Sequence, residues 1–194
     1  MKLKWTSSNK TLLKFLISLL FIGIITGIIV YIKQPSIIKT SIINELDLLD
    51  ITLKEARQNN FIYHLIIFSI IILLSLSVVG LPIMIFYLFY EGISSGFLIA
   101  SFFHYKKVPG LFYAGIFTLI NKLIFYLIII YLIIGTIRYS KKMIISFKTK
   151  NNLIQEHVFL MFIKNIFGLI IMLLYDIFLF YLGNKILAYF LFLL

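Results

Sequence analysis

From Phe61 to His104 the chain is almost entirely apolar, and one short break, Gly80-Leu81-Pro82, is all that interrupts it. As a single helix this stretch would run about 66 Å, roughly twice the hydrocarbon thickness of a bilayer. It has to fold back, and the glycine-proline pair marks the place, because proline is well tolerated at the first position of a helix. The pattern predicts one span over about 61–79 and another over about 82–104. The turn between them is short and uncharged, and non-helical backbone at membrane depth needs protein to cover it. Other helices are therefore expected to pack over Gly80, Leu81 and Pro82.

The remaining chain repeats the theme. Hydrophobic residues make up 62% of the 194 positions and charged residues 13%, more apolar surface than one small soluble core can bury. A first span is predicted over about 12–32, preceded by Lys2, Lys4 and Lys10, with Lys14 at its mouth. Its long apolar run has no small-residue cleavage site after it, so it reads as a retained helix rather than a signal peptide. Gly23 and Gly27 give it a small-xxx-small face, the kind of surface that lets a second helix come close. After the turn Tyr105–Gly110, which contains Lys106, Lys107 and Pro109, a fourth span is predicted over about 111–137. A basic loop over 138–157 follows, then a fifth span over about 158–182, closed by Gly183-Asn184. The final ILAYFLFLL is too short to cross and is expected to pack on the bundle or at the interface.

Between the first two spans, residues 33–60 form the one substantial polar loop of the first half. Ile42, Leu46, Leu49, Leu53 and Ala56 recur at helical spacing, with Asp47 and Asp50 early and Lys54 and Arg57 late, an order that suits the helix dipole. This predicts a short amphipathic helix lying on the membrane or on the protein's own helices. The fold class is therefore an all-α integral membrane protein: a single membrane domain of about five transmembrane helices with one extracytoplasmic amphipathic helix. The formal net charge of +11 is concentrated in short segments between apolar runs. That placement is the positive-inside pattern rather than a nucleic-acid surface. It puts the amino terminus and the 138–157 loop in the cytoplasm, and the 33–60 loop and the carboxyl terminus outside. Lys106 and Lys107 then fall outside, against the rule. The absence of cysteine removes disulfides, thiol catalysis and cysteine-bound metals.

Candidate chemistry is sparse. Gly92-Ile93-Ser94-Ser95-Gly96 matches the G-x-S-x-G elbow of serine hydrolases, and His64, His104 and Asp176 could complete a triad on paper. The elbow requires a strand before the serine and an exposed turn at it. Here the motif falls mid-helix, where Gly92 and Gly96 make a packing face instead. The histidines read as single interfacial residues, since a metal needs several convergent ligands. No catalytic, cofactor or metal site is assigned. The buried charges say more, because a charge in a membrane helix is usually paired or lines a polar cavity. Depths counted from the centre of each span put Glu91 about 4 Å to the cytoplasmic side of the midplane and Lys122 about 3 Å to the outer side. Glu91 and Lys122 can meet if their spans are neighbours, and Asp176 lies within similar reach of Lys122. An ion pair locking helices together is the simpler reading, and an ion or substrate path is the alternative.

Taken together, these motifs resemble the stage II sporulation protein M family of multi-pass membrane proteins, over about Leu16 to Leu182. The strongest part is VVGLPIMIFYLFYEGISSGFLIASFF, where Gly80-Leu81-Pro82, the charged residue before Gly92, and Gly96-Phe97 follow the family pattern. GIITG at 23–27 resembles the family's small-residue step, Gly110-Leu111-Phe112 opens the fourth span in the family manner, and Asp176 stands where members carry a late acid. The chain departs from the pattern at Glu91, where members often have lysine, and at Ile120-Asn121-Lys122, where many have Pro-Gln-Asn. The resemblance implies a non-enzymatic scaffold, surrounded by membrane lipid, that anchors stage II sporulation D-like and P-like peptidoglycan-degrading partners in engulfment or cell-wall remodelling. Two other readings stay open. A substrate-binding subunit of a small vitamin transporter has similar length, but docks through alanines that the first span here lacks. An intramembrane hydrolase rests on GISSG alone.

Overall fold

A computed structural model describes residues 7–149, 154–179 and 181. The side chains of 47–60 lie outside the described ones, as do the expected stop at Gly183-Asn184 and the ILAYFLFLL segment. The described residues are helical apart from short turns, in four elements: α1 (Ser7–Ile32), α2 (Ser36–Ser75), α3 (Gly80–Thr149) and α4 (Ile154–Phe178).

The breaks fall at identifiable residues. Pro35 caps α2 in an extended conformation. From there to Gly80 the sequence has neither glycine nor proline, so nothing stops a helix. The helix anticipated inside the 33–60 loop accordingly runs without interruption into the apolar stretch after it. Its polarity changes along its length while its backbone does not. A four-residue turn over 76–79 then leads into α3 at Gly80. A Cβ on Gly80 would lie 1.9 Å from the Leu74 carbonyl oxygen, so this tight reversal requires glycine. Within α3 the backbone breaks once, at Lys107 (φ 57°, ψ −132°), in the Tyr105–Gly110 segment. Gly110 sits inside this bend, where a Cβ would lie 2.0 Å from the Phe102 carbonyl oxygen.

Lys107 divides α3 into an outgoing arm and a returning arm. Met84 meets Thr136 and Glu91 meets Lys122, so contacts run in opposite senses and the arms are antiparallel. Against the outgoing arm, α1 runs parallel, with Gly23 at Gly92, Gly27 at Ile93 and Tyr31 at Phe97. Helix α2 is antiparallel to that arm, with Leu46 clustered with Phe102 and Tyr63 bonded to Glu91. Helix α4 is antiparallel to α2 through Asp176–His64 and Asn165–Ser75. The described residues thus make five helical passes in alternating directions. One end of the bundle gathers Asn9, Ser75, Gly80, Arg138 and Asn165; the other holds Tyr31, Phe102, His104 and the Lys107 break.

Four helical stretches are long and apolar enough to cross a membrane: Asn9–Ile32, Gly80–Phe112, Ala114–Ile145 and Val158–Phe178. The apolar part of α2, Phe61–Ser75, is shorter. The core lies at the centre of the bundle, where Leu16, Phe68, Met84, Leu88, Phe125 and Ile129 are almost fully buried. Outward-facing Ile, Leu and Phe cover every helix, as expected where the solvent is lipid.

Candidate functional site

The polar groups of the interior gather at Glu91. On the outgoing arm, Tyr87, Glu91 and Ser95 follow one another at intervals of four and therefore share a face. On the returning arm Lys122 and Tyr126 do the same. The two faces meet. Lys122 Nζ donates to Glu91 Oε2 at 2.9 Å, while the hydroxyls of Tyr87 and Tyr63 donate to Oε1 at 2.8 and 2.9 Å. The Tyr126 hydroxyl reaches the Glu91 carbonyl at 3.3 Å and also contacts the Ser95 hydroxyl. Glu91 is only 3% exposed, so its carboxylate has exchanged water for three protein donors on three different passes of the chain. A charge held this way is much less costly in an apolar surround than a bare one.

A second pair lies beside the first. His64 Nδ1 sits 2.9 and 3.0 Å from the two carboxylate oxygens of Asp176, joining α2 to α4. Phe125 stands between the two clusters, its ring centroid 5.0 Å from that of His64 and 6.4 Å from that of Tyr87. Asp176 therefore pairs with His64 rather than with Lys122. Sequence reasoning left His64 as an interfacial residue; the structure buries it to 9% exposure. Its place one residue after Tyr63 was a signal of sorts, since adjacent residues on one helix can serve two neighbouring helices. Further along, Asn165 donates to the Ser75 hydroxyl, and its own carbonyl oxygen is buried with no partner among the described residues.

The glycines occupy a different seam. A Cβ on Gly23 would lie 2.6 Å from the Phe89 carbonyl oxygen, and one on Gly92 would lie 2.7 Å from that of Leu20. For Gly27 and Gly96 the corresponding distances, to the carbonyls of Ile93 and Ile24, are 2.1 and 1.9 Å. The two small-residue faces of the sequence thus lie on each other, backbone against backbone. Phe97 packs edge-on against Tyr31 with centroids 5.2 Å apart. At the start of α3, Gly80 is buried, Leu81 half-buried and Pro82 exposed, next to the α2–α3 turn.

Among the described residues the elbow-like serine is not joined to a histidine. Ser94 is exposed, and its hydroxyl lies 3.3 Å from Lys122 Nζ. That spacing resembles a serine–lysine dyad, but the same nitrogen already donates to Glu91. An ammonium so engaged has no lone pair with which to take the serine's proton. His104 bonds to the Tyr31 hydroxyl at 3.1 Å, far from Ser94 along the arm. Among the described residues no group of three His, Asp or Glu side chains is placed to hold a metal ion.

No protein-family model, no curated protein and no solved structure matches this chain. The resemblance to the stage II sporulation protein M family is thus carried by its quoted motifs alone.

Proposed function

We propose that the chain is a non-enzymatic, multi-pass membrane subunit of the stage II sporulation protein M kind, a scaffold that anchors peptidoglycan-degrading partners in the cell membrane. The observation that supports this most is where the interior charges go. Glu91 and Asp176 are both engaged by side chains of neighbouring helices, and neither faces the pocket found at the end of the bundle. Groups arranged this way hold helices in place. A rigid bundle with its polar groups turned to internal contacts suits an anchor better than a reaction centre.

In this reading α2 makes the fifth crossing. Its apolar stretch of about 15 residues spans about 22 Å as a helix, which a bilayer accommodates by local thinning or by drawing in flanking residues. The amino terminus is cytoplasmic. Arg138, late in the returning arm, contacts Asn9 at 3.3 Å; the stretch expected as a basic loop is helical as far as Thr149, and its cations share one end of the bundle with Lys10 at the start of α1, as the positive-inside rule favours. The opposite end, with the polar first half of α2, faces outward and offers surface for wall-degrading enzymes of the stage II sporulation D and P types.

Affinity purification from the native membrane tests the function. Recovery of peptidoglycan hydrolases is the expected result, whereas recovery of an ATPase module would favour the transporter-subunit reading and sink the scaffold. Orientation is tested separately, by cysteines placed at Asn44 and Ser146 in this cysteine-free chain. An impermeant thiol reagent should label the first in intact cells and spare the second.

A further inference from the structure

The end of the bundle where α1 turns into α2 carries a pocket of about 340 Å³, open on one side, between α1, the first turn of α2 and both arms of α3 near the Lys107 break. Its size falls at the low end of the roughly 300–1,000 Å³ usual for small-ligand sites. Six apolar side chains form the walls: Ile28, Ile32, Ile99, Ala100, Phe103 and Leu111. Three polar ones complete the lining: Tyr31, Lys39 and His104. That is the outline of an amphiphile, a hydrocarbon segment with a polar head at one edge.

The sign of the head follows from what the polar residues have left to offer. Lys39 Nζ donates to the carbonyl of Ile32, one of the orphan acceptors at the end of α1, at 2.8 Å. An ammonium has three N–H groups, so two remain. The same nitrogen lies 5.8 Å from the centroid of the Tyr31 ring, which holds it at this edge. His104 uses Nδ1 toward the Tyr31 hydroxyl; when the phenol donates, the imidazole keeps its proton on Nε2, a further donor. The two ion pairs among the described residues, His64–Asp176 and Lys122–Glu91, both lie elsewhere, and among those residues no carboxylate pairs with Lys39. Lys33, Lys106 and Lys107 stand within three positions of the pocket residues Ile32 and His104. Among the described residues this end is rich in donors and cations, beside a pocket that is otherwise hydrocarbon.

We propose that this pocket binds one anionic phospholipid, with an acyl segment between α1 and the α3 arms and the head-group phosphate on Lys39 and His104. Depth agrees with the chemistry. Ile32 is the last residue of a membrane-crossing stretch, so the apolar walls lie at acyl level and Lys39 at the level of the head groups. The site also gives a reason for lysines at an end where the positive-inside pattern predicts few. A phosphate offers acceptors to several donors at once, and lysine binds it as a point charge.

The test uses the full-length protein, purified in detergent and stripped of lipid, then offered limiting phosphatidylglycerol, phosphatidylcholine or sodium phosphate. Native mass spectrometry reads the bound population. One bound phosphatidylglycerol, favoured over phosphatidylcholine by about fivefold per cationic contact, is expected. Lys39→Met should erase most of that preference, Lys39→Arg should keep it, and Ile99→Trp should reduce phosphatidylglycerol binding by filling the cavity. Equal retention of the two lipids by the unsubstituted protein overturns the proposal without recourse to any variant. So does a preference that survives both Lys39→Met and Ile99→Trp. Displacement of the lipid by comparable concentrations of inorganic phosphate would mean that the site takes a free anion, and would overturn it too.

Discussion

Two seams hold this bundle together, and they are built on opposite terms. Where α1 crosses the outgoing arm of α3, Gly23, Gly27, Gly92 and Gly96 have removed their side chains and brought backbone to backbone. Where α2, the two arms and α4 converge, Tyr63, His64, Glu91, Lys122 and Asp176 have added polar side chains that bond from helix to helix. Both answer the same difficulty. In lipid there is no hydrophobic drive between helices, so association rests on close van der Waals contact or on hydrogen bonds. The difference lies in how each can fail. A glycine seam is broken by adding atoms, and a polar seam by taking one partner away.

The largest effect is expected at the glycine seam. A Cβ on Gly96 would sit 1.9 Å from a carbonyl oxygen of α1, and that oxygen cannot rotate away as a side chain could. Gly96→Leu should therefore separate the two helices and remove most of the folded protein from the membrane fraction, an effect beyond the roughly 1–3 kcal/mol of ordinary overpacking. Gly115 is the matched control, because a Cβ there meets nothing within 4 Å. Gly115→Ala should leave expression and thermal stability in detergent unchanged or slightly improved. Equal tolerance at the two positions would mean that the crossing is looser than these distances require.

Next comes the pair at the centre of the polar seam. Lys122→Met strands Glu91 with only phenols for partners, and stranding one member of a buried pair typically costs about 3–5 kcal/mol. Glu91→Gln should cost less. The Lys122 side chain is 28% exposed against 4% for Glu91, so the released ammonium can turn toward polar surroundings while the carboxylate cannot. The double variant should lose less than the two single losses added, because no charge is left stranded. Denaturant titration in mixed micelles measures all three. Simple additivity would show that the contact contributes nothing of its own.

The contrast between the seams also explains what could be read from the chain beforehand. The all-helical class, with helices long and apolar enough to cross a membrane, was legible, because apolar runs of this length favour such helices and the breaks carry their own markers, Gly80-Leu81-Pro82 and the Tyr105–Gly110 segment. The glycine faces were legible as faces. Spacing by four gives a stripe on one helix but says nothing about which helix covers it, so the meeting of Gly23 with Gly92 needed the fold. The polar seam was harder. Depth along a helix axis brought Asp176 as near to Lys122 as Glu91 was, yet rotation about the axis decides which neighbour a side chain meets. Asp176 turns to α2, and a histidine that looked peripheral takes it. In 33–60 the change to polar composition suggested a separate loop, while the unbroken run of residues compatible with helix from Ser36 onward carried the backbone straight through.

Smaller effects separate the members of the His64–Asp176 pair. His64→Phe leaves a carboxylate that is 8% exposed without its N–H donor, and a buried polar group left unsatisfied costs about 1–3 kcal/mol or more when charged. Asp176→Asn keeps an acceptor facing the imidazole and removes the charge, so it should cost less than His64→Phe. A reversed order, read from thermal unfolding in detergent, would mean that α4 is held by packing and that this pair is incidental to it.

The smallest effect is expected at Ser94, which also gives the sharpest test of whether the polar seam is structural. Its hydroxyl is exposed and lies a long 3.3 Å from Lys122 Nζ; Glu91 holds that nitrogen more closely at 2.9 Å. Ser94→Ala should change stability by no more than about 0.5 kcal/mol, the range of ordinary exposed substitutions. Ser95, one residue on, is buried and bonded to the Tyr126 hydroxyl, so Ser95→Ala should cost more, about 1 kcal/mol. A structural seam ranks these two serines by burial in function as well as in stability. A reacting serine would invert the functional order, with Ser94→Ala reaching the membrane at normal levels, unfolding at the normal temperature and failing in the cell. That combination would make the closeness of Ser94 to Lys122 a chemical feature and displace the scaffold reading, because no loss of packing could account for it.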